Sequence, residues 1–204
     1  MKFIRLDGNK VYPSKIVCIG RNYVDHITEL GNEIPKEPVI FLKPNSAIST
    51  EIQAGTPEAI HYEGEISFVV RNGELAGVGF GLDLTKREKQ SALKGKGLPW
   101  ERAKAFDGAA VFSEFVSFSG DSRHLRLELH INDRLIQQGG YDLMINKPEA
   151  LLAEISSFMS LEDDDLIMTG TPAGVGPLQP ADRFEGKIFE NDTPLVEASW
   201  TVKS

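Results

Sequence analysis

The feature that most restricts this chain is how its apolar residues are dealt out. They fall in short β-branched or alternating runs closed by Gly, Pro, Asn or Asp, with one sustained helical stripe. Lys15-Ile16-Val17-Cys18-Ile19-Gly20 reads as a buried strand ended by glycine. Residues 39–42 form a second apolar run before Lys43-Pro44-Asn45. Across 61–70, Ile66, Phe68 and Val70 alternate with Glu65, Ser67 and Val69, the period of a strand. Residues 78–82 add another, and Leu125–Ile131 alternates up to Asn132-Asp133, a pair suited to a hairpin turn. Helices are fewer. Residues 21–30 read as helical up to a stop at Gly31, and Thr85-Lys86-Arg87-Glu88 has capping-box spacing, opening a helix that ends near Gly95. The clearest helix, 149–160, is introduced by Pro148 and carries Leu151, Leu152, Ile155, Phe158 and Met159 as its apolar stripe. Many short strands with few helices predict an α+β fold with a β-rich core.

At 204 residues, with no Pro/Ser-rich linker, charge block or repeat, the simplest organisation is a single domain over 1–204. With 30 acidic against 22 basic residues, the net charge of -8 argues against nucleic acid or an anionic membrane as partner. The single cysteine, Cys18, has no partner for an internal disulfide. The opening residues lack the apolar stretch of a signal peptide, and no apolar run approaches the ~20 residues that span a bilayer. The expected location is the cytoplasm.

The chemistry concentrates around His61-Tyr62-Glu63-Gly64-Glu65 and Asp83. On one strand, Glu63 and Glu65 share a face opposite Ile66 and Phe68. Two carboxylates there repel each other unless a cation or protons compensate them. Asp83, at a neighbouring strand end, would complete a three-oxygen site suited to Mg²⁺ or Mn²⁺. On spacing alone, Glu-x-Glu on the solvated face of an antiparallel strand is the competing reading. Glu162-Asp163-Asp164-Asp165 reads as a solvated turn before the strand at Leu166–Met168.

Several segments, taken in order, narrow the choice. They are Ile19-Gly20-Arg21-Asn22-Tyr23 with His26 and Glu29, Phe41-Leu42-Lys43-Pro44, His61-x-Glu63-x-Glu65, and Leu82-Asp83-Leu84-Thr85 with Arg87 and Gln90. Lys96-Gly97-Leu98-Pro99-Trp100, Ala103-Lys104-Ala105-Phe106-Asp107 and Thr169-Gly170-Thr171-Pro172-Ala173-Gly174-Val175-Gly176 follow. Over about 15–176 the chain resembles the fumarylacetoacetate hydrolase family, and within it the short acylpyruvase and oxaloacetate decarboxylase group. The resemblance implies a mixed β-sandwich-roll and a homodimer. It implies Mg²⁺, with Mn²⁺ as substitute, on Glu63, Glu65 and Asp83. It places Lys104 and Thr171 in the substrate pocket, with Arg21, Lys43, Arg87 and Gln90 near it. Gly64 stands where relatives carry a larger apolar residue, which predicts a looser ligand strand.

A short 2-oxo acid chelates such an ion through its carboxylate and keto oxygens, and the ion stabilises the enolate. His26 and Glu29 lie at i, i+3 on a helix, where the carboxylate orients the imidazole. The expected activity is therefore hydrolase or lyase, acylpyruvate C–C hydrolysis or oxaloacetate decarboxylation. In hydrolysis His26 activates water, Lys104 stabilises the oxyanion or enolate, and Thr171 holds the carboxylate. The alternative is an isomerase, an oxaloacetate keto–enol tautomerase with the same site. A metal-binding or assembly protein without catalysis is a third reading.

Overall fold

The computed structural model describes residues 1–54 and 58–204. An eight-stranded mixed sheet forms one layer. Its main path runs Val39–Pro44, Lys15–Gly20, Leu166–Met168, Gly64–Arg71, Glu74–Asp83, Ala110–Phe112 and Ile48–Ser49. Neighbours are antiparallel except where Leu166–Met168 runs parallel to Lys15–Gly20 and Ala110–Phe112 parallel to Ile48–Ser49. A four-stranded antiparallel sheet, Arg134–Gly140, Leu125–Ile131, Arg183–Glu190 and Thr193–Thr201, packs against it. Among the described residues the four α-helices are short: α1 Val24–Glu29, α2 Arg87–Gly95, α3 Glu101–Lys104 and α4 Pro148–Phe158. This is the expected β-rich α+β sandwich-roll. Among the described residues no helix is long and apolar enough to cross a membrane.

Period-two patterning builds the interior. Ile66, Phe68, Phe80 and Leu82 of the larger sheet meet Leu127, Leu129, Phe184 and Ile188 of the smaller one. Each such buried side chain contributes about 1.5–3 kcal/mol through loss of water contact. Gly186 lets the sheets approach, because a Cβ there would overlap the Phe80 ring. At the hairpin, Asn132 and Asp133 both adopt left-handed φ, 50° and 63°, as the turn of these twisted strands requires.

Four expectations are corrected. The run 61–70 is two strands, Ile60–Tyr62 and Gly64–Arg71, with Glu63 between them. The first pairs into a separate three-stranded sheet with Thr85–Lys86 and Gly176–Pro177, so Glu63 sits where the chain changes sheets. The helix expected over 21–30 begins only at Val24, after Arg21 takes φ 56°. Asn22 is fully buried there, its amide donating to the carbonyls of Asn146 and Thr169, which a continuing helix would not permit. Thr85 caps nothing: α2 opens with no side-chain cap, and the hydroxyl serves the site instead. In α4, Leu151 and Ile155 are buried, but Phe158 is 58% exposed.

Asp165 also departs from the solvated turn expected of it. It is fully buried and accepts hydrogen bonds from the Ser14 and Lys15 amides, the Ser14 hydroxyl, Lys15 Nζ and the Glu162 amide. Burial pushes its carboxyl up, but Lys15 and Ser14 prevail and hold it below the usual range. Its stabilisation is therefore present above the ordinary aspartate value near ~3.9 and lost as pH falls through the depressed folded value. Asp165→Asn is expected to cost on the order of 3 kcal/mol at neutral pH. Urea denaturation across pH checks this, with the two proteins converging in strong acid; equal midpoints at pH 7 would refute it.

Candidate active site

Glu63, Glu65 and Asp83 converge where the strand pair Gly64–Arg71 and Glu74–Asp83 ends. Leu82 faces Gly64 and Gly81 faces Glu65, while the Asp83 amide donates to the Glu63 carbonyl at 2.9 Å. One oxygen from each carboxylate lies within 4.8 Å of the other two, and all three residues are buried.

Three cations hold this charge. Lys104, at the end of α3, donates from Nζ to Glu63 Oε2 at 2.8 Å, Asp83 Oδ2 at 2.7 Å and Thr85 Oγ1 at 2.6 Å. Arg87 pairs with Glu63 Oε1 and donates to Gln90 at 2.9 Å. Lys43 Nζ lies 2.8 Å from Asp83 Oδ1, fully buried beneath the site, and also bonds the backbone carbonyls of Leu84 and Lys104. Burial works against ionised Glu63, yet Lys104 and Arg87 outweigh it and hold the carboxyl well below its usual range. Glu65 goes the other way. Burial, then Asp83 and Glu63, push it far up, although the Gly170 amide at 2.7 Å favours its charged form. Burial opposes the Lys104 charge, but Asp83 and Glu63 raise its pKa, so it stays an ammonium.

These residues fit a hard divalent ion. Three carboxylate oxygens converge, one carboxyl is pushed toward its protonated form by burial and then by the other two, and Asp83 Oδ1 accepts no well-aligned hydrogen bond.

His26, Glu63, Arg21, Arg87, Gln90, Lys104 and Thr171 line one pocket, closed by Phe41, Lys94 and Trp100 among others. Lys43 does not line it and acts from below. A larger open depression of about 730 Å³ lies beside Lys86 and Phe106. It contains none of the triad, so the chemistry belongs to the smaller pocket. His26 Nδ1 is 3.2 Å from Glu29 Oε2, and Glu29 Oε1 accepts from the Gly174 amide at 3.0 Å. The pair is thus formed and tied to the loop carrying Thr171.

Sequence reasoning missed Gln137. Buried, it accepts from the Gly64 amide at 2.9 Å and donates to Thr171 Oγ1 and the Pro172 carbonyl, each at 2.8 Å. It joins the ligand segment to the pocket loop. Gly64 is correspondingly packed rather than loose, since a Cβ would sit 3.0 Å from both Gln137 Oε1 and Phe80 Cζ. The available signal was a glutamine inside a strand of a sheet with a buried face.

Residues 15–201 match the family model for the fumarylacetoacetate (FAA) hydrolase C-terminal domain. The chain belongs to the fumarylacetoacetate hydrolase family. It is 40% identical over 192 residues to the oxaloacetate tautomerase YcgM of Escherichia coli, covering 85% of this chain and 88% of that one. The mitochondrial oxaloacetate tautomerase FMP41 of Saccharomyces cerevisiae is 34% identical over 239 residues, covering 93% and 92%. The fumarylpyruvate hydrolase of Pseudomonas aeruginosa, solved with Mn²⁺ and pyruvate, superposes with a TM-score of 0.87 at 28% identity, covering 98% and 95%. Members of this family are metal-dependent enzymes, which sets aside the reading as a non-catalytic metal-binding protein.

Proposed function

We propose that this family enzyme interconverts the keto and enol forms of a short 2-oxo acid, with oxaloacetate as the leading substrate. The observation that carries the reading is a pocket where Glu63, one member of the buried acidic triad, meets the Lys104 ammonium and a carboxylate-oriented imidazole. The relatives named as oxaloacetate tautomerases support isomerisation ahead of the hydrolase or lyase activity that the sequence put first.

Glu63, Glu65 and Asp83 would hold Mg²⁺ or Mn²⁺, which when bound supplies positive charge to the two chelating oxygens of the substrate. Thr171 binds the substrate carboxylate. An ionised Glu29 only accepts hydrogen bonds, so His26 carries its proton on Nδ1 and presents a free lone pair at Nε2. In the keto-to-enol direction Nε2 takes a C3 proton, the electron pair becomes the C2–C3 double bond, and Lys104 meets the charge gathering on the oxygen. The imidazolium then returns the proton to that oxygen. The remaining proposals are Arg21, Arg87 and Gln90 as pocket-wall contacts, Lys43 as support for Asp83, and a homodimer as the working form.

Cleavage, as acylpyruvate hydrolysis or oxaloacetate decarboxylation, is the second reading, favoured by the likeness to the fumarylpyruvate hydrolase; in hydrolysis His26 would deprotonate water. Following enol absorbance and pyruvate release together separates them. Tautomerisation predicts divalent-dependent enol loss from oxaloacetate without pyruvate. Pyruvate appearing in step with enol loss would overturn it in favour of cleavage.

A further inference from the structure

The cations of the pocket divide into two sets. Lys104 and Arg87 are engaged by Glu63 and Asp83. Arg21 and Lys94 line the same pocket, yet among the described residues neither lies within ion-pair distance of a carboxylate. Lys94 is half-buried, with Nζ donating to Asn32 Oδ1 at 3.0 Å and lying 5.9 Å from the centre of the Trp100 ring. Arg21 is fixed in a left-handed backbone that non-glycine residues seldom adopt. Burial pushes the Lys94 ammonium down, and Arg21 and Arg87 push it further, so these cations stand close enough to repel one another. A pocket that gathers cations without enough acceptors is stabilised by an incoming anion.

Position gives that anion a place on the substrate. Arg87, Gln90 and Lys94 follow i, i+3, i+7 spacing along one face of α2. Lys94 therefore lies two turns, about 10 Å, beyond the residue that touches Glu63. The triad end suits the 2-oxo acid head, and the Lys94 end suits a second negative group. Arg87 Nε, buried without a partner, lies on the same wall.

We propose that Lys94, with Arg21, forms a second anion subsite that binds the distal carboxylate of a four-carbon 2-oxo dicarboxylate. It selects such substrates over simple acylpyruvates such as acetylpyruvate, whose distal group is an uncharged ketone. The proposal rests on the 2-oxo acid reading of the pocket.

The test compares wild type, Lys94→Met and Lys94→Arg, each loaded with Mn²⁺, on oxaloacetate and acetylpyruvate. Lys94→Met is expected to raise KM for oxaloacetate about ten- to a hundredfold, the effect of one charged hydrogen bond, with kcat changed less than about threefold. Lys94→Arg should recover most of the loss. A parallel calorimetric titration uses L-malate, which carries the distal carboxylate, and L-lactate, which lacks it. Malate should bind Lys94→Met at least about tenfold more weakly while lactate binds as before. Equal losses on both ligands, or unchanged malate binding, would overturn the subsite even if tautomerisation holds. Malate discrimination without turnover of either 2-oxo acid would uphold the subsite and sink the proposed activity.

Discussion

Lys104→Met is expected to lower kcat by on the order of 10³-fold, the cost of removing a preorganised charge from the reacting oxygen. It should also make folding depend on a divalent ion. In the ion-free chain the Lys104 ammonium is shared by Glu63, Asp83 and Thr85 out of water. Removing one partner of a buried ion pair costs about 3–5 kcal/mol, because the other charge stays behind. A bound ion supplies the missing positive charge, so Mn²⁺ should raise the melting temperature of the variant far more than that of wild type. Thermal denaturation in chelator and in Mn²⁺ measures both. Similar midpoints for the two proteins in chelator would show that Lys104 is not the counter-ion described.

The second large effect separates two glutamates with the same proposed role. Glu63→Gln and Glu65→Gln should each weaken Mn²⁺ binding by at least ~10²-fold, the upper range for a residue that merely orients a ligand. In chelator their stabilities should diverge. Glu63 is held ionised by Lys104 and Arg87, so its stabilisation is present above the ordinary glutamate range and fades as pH falls through its lowered value. Glutamine there strands two cations and should cost about 3 kcal/mol at pH 7. Glu65 has a raised value, so ionising it costs the fold stability as pH climbs past the ordinary range near ~4.3. Glutamine imitates its protonated form and should leave stability at pH 7 within about 1 kcal/mol or improve it. Urea denaturation in chelator at pH 5 and pH 8 reads the difference, and equal destabilisation by both changes would refute it.

The elements legible in the sequence were those whose faces differ in polarity. Leu125–Ile131 and its Asn132-Asp133 turn, Lys15–Gly20 and the start of α4 at Pro148 stand where local pattern put them. Illegible were residues whose polar atoms serve distant parts of the chain. Thr85 matches a helix cap but spends its hydroxyl on Lys104, and Asn22 breaks a helical run to hold the loops at Asn146 and Thr169. Asp165 looked like one of several turn acids, yet alone among those four acids it is fully buried. The triad was readable as residue types; its closeness depends on the change of sheet at Glu63, which no periodicity records. Lys94 was not singled out by the sequence, because what distinguishes it is the cations around it in space.

The place of Leu166–Met168 in the larger sheet bears on how the chain must be made. It lies between Lys15–Gly20 and Gly64–Arg71, both synthesised long before it, and brings with it the loop bearing Gly170 and Thr171. During translation both neighbours leave the ribosome with a facing edge still unpaired, and an open strand edge is a template for pairing with other chains. Completion of the sheet and assembly of the pocket thus wait on the same late event. A nascent chain stalled before residue 166 would be poor at chemistry and prone to aggregate for one shared reason.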